Sequence, residues 1–161
     1  MKSPVHAQAA KVAQSALDLG LALEIIEFDQ TTHTAEEAAS AIGCQVGQIV
    51  KSLLFLVNKK PVMALISGGN RLDEDKLAGL CDANRKQVKR ADADLVKEIT
   101  GFTIGGVPPF GHTSIFPLFL DEELMAFGQV WAAAGTPRAV FAIAPATLAQ
   151  LSKATISNLK V

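Results

Sequence analysis

Residues 52–67, SLLFLVNKKPVMALIS, hold two apolar runs separated by the polar turn Asn58-Lys59-Lys60. Both runs have strand length and strand composition, and three residues leave no room for a crossover helix. The stretch is therefore predicted to be an antiparallel hairpin over 52–57 and 61–67. That turn decides the fold class, because a doubly wound parallel sheet would need a helix there.

Upstream, Val5, Ala9, Val12, Ala13, Ala16 and Leu17 recur at helical spacing, and Gly20 is placed to end the helix. The segment LALEIIEF (21–28) follows as a predicted strand. In THTAEEAASAIG (32–43), Thr34 and Glu37 form a capping box and Gly43 marks the stop. Downstream, SGGNRLDEDKLAGL turns through glycines and enters a helix near Asp73. A further helix is predicted over Ala91–Thr100, ended by Gly101. Strands are expected at IFPLFL, QVWAAA and AVFAIA, with a short helix from Pro145 to Leu151. Several strands follow one another across short turns. The expectation is one α+β domain over residues 1–161, with a mixed, mainly antiparallel sheet surrounded by helices.

Hydrophobic residues make up 49% and charged residues 19% of the 161, as in a globular chain with a substantial core. The formal net charge of −1 supplies no global field for nucleic acid, so any such contact needs a local patch, and DNA is not expected as a partner. Tyrosine is absent and there is one tryptophan, which argues against a platform for stacking single-stranded bases. The apolar runs LLFLV and IFPLFL are too short to cross a bilayer, and the N-terminus lacks a signal-peptide core. Cys44 and Cys81 lack CxxC spacing and read as two thiols in a reducing compartment. A cytoplasmic protein without a membrane partner is expected.

The familiar catalytic signatures are missing. There is no GxSxG, GxxxxGK[ST], GxGxxG or HExxH, and His6, His33 and His112 are far apart in the chain. An enzyme with this sequence would use no metal, covalent nucleophile or bound cofactor. It would need an already activated substrate.

The segment TIGGVPPFGH (103–112) is too apolar for an ordinary solvent loop. Gly105 and Gly106 allow close approach of a ligand to the backbone. Pro108 and Pro109 fix φ and lack N–H groups, so donors come only from the glycines, Val107, Phe110 and His112. Two readings stand: a stiff wall presenting backbone groups to a small polar ligand, or a structural turn covering a sheet end. Lys51, in GQIVKSLLFLV, has two readings as well. It either snorkels to the surface or faces a pocket as a cation for a phosphate or ribose.

The ordered segments HTAEEAA, GQIVKSLLFLV, SGGNRLDEDKL, ITGFTIGGVPPFGH, PLFLDEEL and AAAGTPRAVFAIAPATLAQL resemble the YbaK/ProX family. These are free-standing relatives of the editing domain inserted in bacterial prolyl-tRNA synthetases. The match runs from about residue 20 to the C-terminus. It implies a partly barrel-like, YbaK-like sheet and hydrolysis of the ester linking a wrong amino acid to tRNA. It also implies an aminoacyl-tRNA synthetase as a possible further partner. The family's GxxxP loop corresponds to Gly105–Pro109, its lysine to Lys51, and its DE pair to Asp121 and Glu122.

On this resemblance Lys51 and Gly105, Gly106, Val107, Pro108 and Pro109 form the catalytic set. Phe28, His33, Thr34, Gly111, His112 and Asp121 are expected around the substrate. Arg85, Lys86, Lys89 and Arg90, from the acid-free run NRKQVKR (84–90), are expected on tRNA phosphates. Some relatives carry serine or threonine where this chain has Pro108, so their alanine or cysteine specificity is not carried over. The GGVPPFGH form is similar to a subset acting on other small residues, serine and threonine among them. The rival classes are a non-catalytic module that binds tRNA or a synthetase, and a hydrolase of small-molecule esters or amides.

Overall fold

A computed structural model describes residues 6–161 of the chain. Val5, expected to open the first helix, lies outside the described residues.

The hairpin forms as expected, from β2 (Val50–Val57) and β3 (Lys60–Ser67). Its turn is shorter than expected: Lys60 belongs to β3, and only Asn58 and Lys59 make the reversal. Their φ values of 50° and 68° give a two-residue loop whose twist matches the flanking strands. Asparagine suits the left-handed region.

Two sheets surround this hairpin. The larger is ordered β4-β2-β3-β5-β8, with β4 at Val88–Arg90, β5 at Leu118–Asp121 and β8 at Thr155–Ser157. The smaller is ordered β1-β7-β6, from Ile25–Glu27, Ala139–Ile143 and Val130–Ala133. Pairing is antiparallel except at β3–β5 and β5–β8. Those parallel pairs require long crossovers, which carry the last three helices of the chain. A parallel bridge between Ile49 and Trp131 links the two sheets. Neither sheet closes on itself, so the expected barrel-like closure is corrected to two open sheets joined at an edge.

The five helices are α1 (Ala7–Asp18), α2 (Ala35–Ile42), α3 (Glu74–Leu80), α4 (Ala93–Thr100) and α5 (Pro145–Ser152). Their ends follow local chemistry. Thr34 accepts from Glu37 N–H at 3.1 Å, and Gly43 closes α2 at φ 85°. Asp92 caps α4 through Leu95 N–H at 2.9 Å. α1 buries Ala9, Val12 and Ala16 in the main core with Leu54, Leu65, Phe110 and Phe141. Each fully buried large side chain there contributes about 1.5–3 kcal/mol.

Three expectations change at the margins. LALEIIEF and IFPLFL shrink to the short strands β1 and β5, leaving Ile115 fully exposed. The run 84–90, for which no strand was expected, forms a 3₁₀ turn (Arg85–Gln87) followed by β4. β8 was not expected at all.

Candidate active site

β4 pairs with β2 only at residues 55–57, and the chain turns away into α4 at Asp92. The first part of β2 is left with an open edge facing the smaller sheet. A cavity of about 340 Å³ fills that gap. Its floor and walls include Val50–Leu54 of β2, Ala91 and Val96, Trp131–Ala133 of β6, and Thr136 and Pro137. Thr32–Ala35 close one side, while Ile104, Gly105 and Val107 close another. The size is at the small end of ligand sites, which span about 300–1,000 Å³.

Lys51 stands at this cavity, half-buried, and its Nζ donates to the Asn70 carbonyl at 2.7 Å. Burial is the main influence on its ammonium and pushes its pKa below the ordinary 10.5. Glu36 opposes that shift, Arg90 adds to it, and Asp121 opposes it more weakly.

The carbonyl that holds Lys51 is itself fixed. Asp121 is fully buried and accepts from Ser67 N–H (3.1 Å), Asn70 Nδ2 (2.9 Å) and Glu123 N–H (3.0 Å). Asn70 Nδ2 also donates to Glu123 Oε1 at 3.2 Å, and Glu123 pairs with Lys160. The turn after β3 is thereby tied to the end of β5. Asp121 does not line the cavity; it positions the group that positions Lys51.

The loop divides by residue. Gly105, at φ +91°, and Val107 line the cavity. Gly106 lies behind them, where a Cβ would stand 2.6 Å from the Thr136 Cα. The Gly106 N–H is spent on the Thr103 carbonyl at 3.0 Å. Pro108 and Pro109 are buried beneath. His112 Nε2 meets the Pro108 carbonyl at 2.7 Å, and its ring lies 4.9 Å from Phe116. It braces the loop from outside the cavity. Gly111 packs on Ser15 of α1, away from the cavity.

His33 and Thr34 line the cavity, whereas Phe28 lines a neighbouring groove with Asp29, Glu37 and Ser40. Of Arg85, Lys86, Lys89 and Arg90, only Arg90 reaches the cavity, its guanidinium 6.0 Å from the Phe55 ring centre. Arg85 is paired with Glu74 at 3.1 Å, and Lys86 and Lys89 are exposed. Sequence reasoning missed Asn70, Trp131, Thr136 and Ser52 as cavity or supporting residues. Ser52 alone carried a signal, as a polar residue inside an apolar strand. Among the described residues no group of three or more His, Cys, Asp or Glu is placed to hold a metal, and no helix is long and apolar enough to cross a membrane.

Burial lowers the pKa of His112 from its ordinary 6.5, with the Pro108 contact opposing. The unfolded chain therefore binds the proton more readily than the folded one. The stabilisation is complete above pH 6.5 and is lost as pH falls towards the lowered folded value. Thermal melts between pH 8 and 5 should show a declining Tm, and His112→Gln should flatten that decline. An equal slope in the variant would assign the effect elsewhere.

Residues 29–151 match the aminoacyl-tRNA editing domain, and the chain belongs to that family. It is 30% identical over 127 residues to EbsC of Enterococcus faecalis, a candidate Cys-tRNA(Pro)/Cys-tRNA(Cys) deacylase. That match covers 78% of this chain and 76% of EbsC. It is 38% identical over 93 residues to the proline–tRNA ligase of Maridesulfovibrio salexigens. Here the match covers 58% of this chain and 16% of the ligase. A solved structure described as a candidate trans-editing enzyme for prolyl-tRNA synthetase is 42% identical. It superposes with a TM-score of 0.92, over 98% of this chain and 99% of that one.

Proposed function

We propose that the protein is an aminoacyl-tRNA deacylase that acts in trans, hydrolysing the ester between a small wrong amino acid and the 3′ end of a tRNA such as tRNA(Pro). The observation that carries this is the sharing of one small cavity by Lys51 and the Gly105–Val107 backbone, in a chain of the editing family.

The chemistry suits the residues present. An aminoacyl ester is already reactive, so a bound water can attack its carbonyl carbon without a protein nucleophile. The tetrahedral oxyanion collapses, the C–O bond to the ribose breaks, and the ribose oxygen takes up the proton that the attacking water gives up. The protein's task is to hold ester and water in line and to place donors where negative charge develops. The N–H groups of Gly105 and Val107 are not spent on the loop's own turn, unlike that of Gly106. Lys51 is assigned to the terminal nucleotide's phosphate or ribose, with Arg90 beside it at the same cavity. The small apolar walls exclude bulky acyl groups, a discrimination worth about 10–200-fold per methylene. The expected site of action is the cytoplasm, and a synthetase partner is a further proposal.

Lys86, Lys89 and Arg90 are proposed to meet acceptor-stem phosphates, and Arg85 contributes less because Glu74 holds it. Reversing the charge of Lys86, Lys89 and Arg90 should weaken tRNA binding and reduce its salt dependence by up to about three units of log–log slope. Unchanged affinity at low salt would remove the patch from the interface. The deacylase reading itself is tested by incubating the protein with a panel of mischarged tRNAs. A non-catalytic binding module would bind them without ester loss.

A further inference from the structure

The open edge of β2 bears on how the acyl group is held, an inference that rests on the deacylase reading. Ala91 N–H donates to the Leu54 carbonyl (3.1 Å) and Asn58 N–H to the Gln87 carbonyl (2.9 Å). Even-numbered residues of β2 thus turn their main-chain groups towards β4. Gly68 N–H donates to the Ile49 carbonyl (2.7 Å), so odd-numbered residues face β3. Antiparallel ladders impose this alternation.

Ser52 is even-numbered and lies past the end of β4, which pairs only with residues 55–57. Its N–H and C=O therefore point from the open edge into the cavity that Val50–Leu54 line. Its side chain shares a face with Val50 and Leu54. Among the described residues, Ser52 Oγ is the buried side-chain polar atom that has no hydrogen-bond partner. The N–H and C=O of one residue thus meet the cavity together, beside a cavity-lining face.

We propose that the aminoacyl group docks on Ser52 as a one-residue antiparallel strand partner. Its α-ammonium donates to the Ser52 carbonyl, and its ester carbonyl oxygen accepts from the Ser52 N–H. Directly opposed residues in such a pair carry their side chains on the same face. An L-acyl side chain then lies beside Ser52 Oγ, among Val50, Leu54, Val96 and Val107, which belong to one apolar cluster. A D-acyl side chain projects to the opposite face, where Lys51 and Leu53 stand. The pairing selects a small L-acyl group and places a donor on the oxygen that gains charge during hydrolysis.

The test uses the ¹⁵N-labelled wild-type chain and 3′-(L-alanylamido)-3′-deoxyadenosine, in which an amide replaces the labile ester. The Ser52 amide resonance should move downfield on binding, and the D-alanyl epimer should bind at least about tenfold more weakly, the scale of one methyl group displaced from an apolar pocket. Ser52→Pro removes this donor without removing a ladder bond, because that N–H faces the open edge. Deacylation should fall about a hundredfold or more, in line with loss of one oxyanion donor. The wild-type titration stands whether or not that variant folds. A Ser52 amide that stays put while Lys51 and Gly105 respond would overturn the docking, as would equal binding of the two epimers. Docking observed without tRNA deacylation would sink the proposed activity alone. A folded Ser52→Pro with the wild-type rate would sink the docking alone.

Discussion

Lys51→Ala should lower kcat/KM for deacylation of a mischarged tRNA by about ten- to a hundredfold, the scale of a lost hydrogen bond from a charged group to the terminal nucleotide, about 1.5–3 kcal/mol. Stability should change by less than about 1 kcal/mol, since the ammonium is penalised by burial and meets only a carbonyl. Lys51→Arg should not restore the rate, because a planar fork cannot replace a compact ammonium held by one carbonyl. The same burial sets a pH limit. The cation exists only below its lowered pKa, so activity that depends on it should be lost, with rising pH, before the ordinary 10.5. Background-corrected hydrolysis rates for the wild type and the alanine variant measure both effects. A variant at full rate would remove Lys51 from the site.

Asp121→Ala should be the most destabilising single change proposed here, about 3 kcal/mol by urea unfolding, because it strands three donors around a fully buried position. For a chain of this size that corresponds to a Tm lower by roughly 6–12 °C. Activity should fall further than stability explains, since Asn70 would no longer hold its carbonyl on the Lys51 ammonium. Measuring kcat/KM at a temperature where the variant is fully folded separates the two. A folded variant with the wild-type rate would show that the Asp121–Asn70 link has no bearing on Lys51.

Most of the architecture was legible because local signals agreed with tertiary need. The hairpin, the caps at Thr34 and Asp73, and the stops at Gly43 and Gly101 each follow from a few neighbouring residues. β4 and β8 were not legible. Each has three residues and exists only because a partner strand lies beside it, β2 for one and β5 for the other. The two-sheet arrangement was hidden for the same reason, since the Ile49–Trp131 bridge joins residues far apart in the chain.

The site shows the same division. Lys51 and the Gly105–Val107 loop could be singled out by composition and by family resemblance, and they share a cavity. Asp121 was singled out too, but a fully buried carboxylate and a pocket wall look alike in sequence. Its role depends on donors from Ser67 and Asn70, more than fifty residues away. Ser52 carried only its polarity as a signal, because the open edge beside it exists only where β4 ends.

The central claim is that a main-chain cradle and one ammonium cleave an activated ester. Its most direct test is the rate at which the purified chain releases amino acid from a panel of mischarged tRNAs, set against uncatalysed hydrolysis. The account predicts multiple-turnover release of small acyl groups, slowed strongly by Lys51→Ala and unaffected by metal chelation. Release no faster than in buffer across the whole panel, with tRNA binding intact, would contradict it.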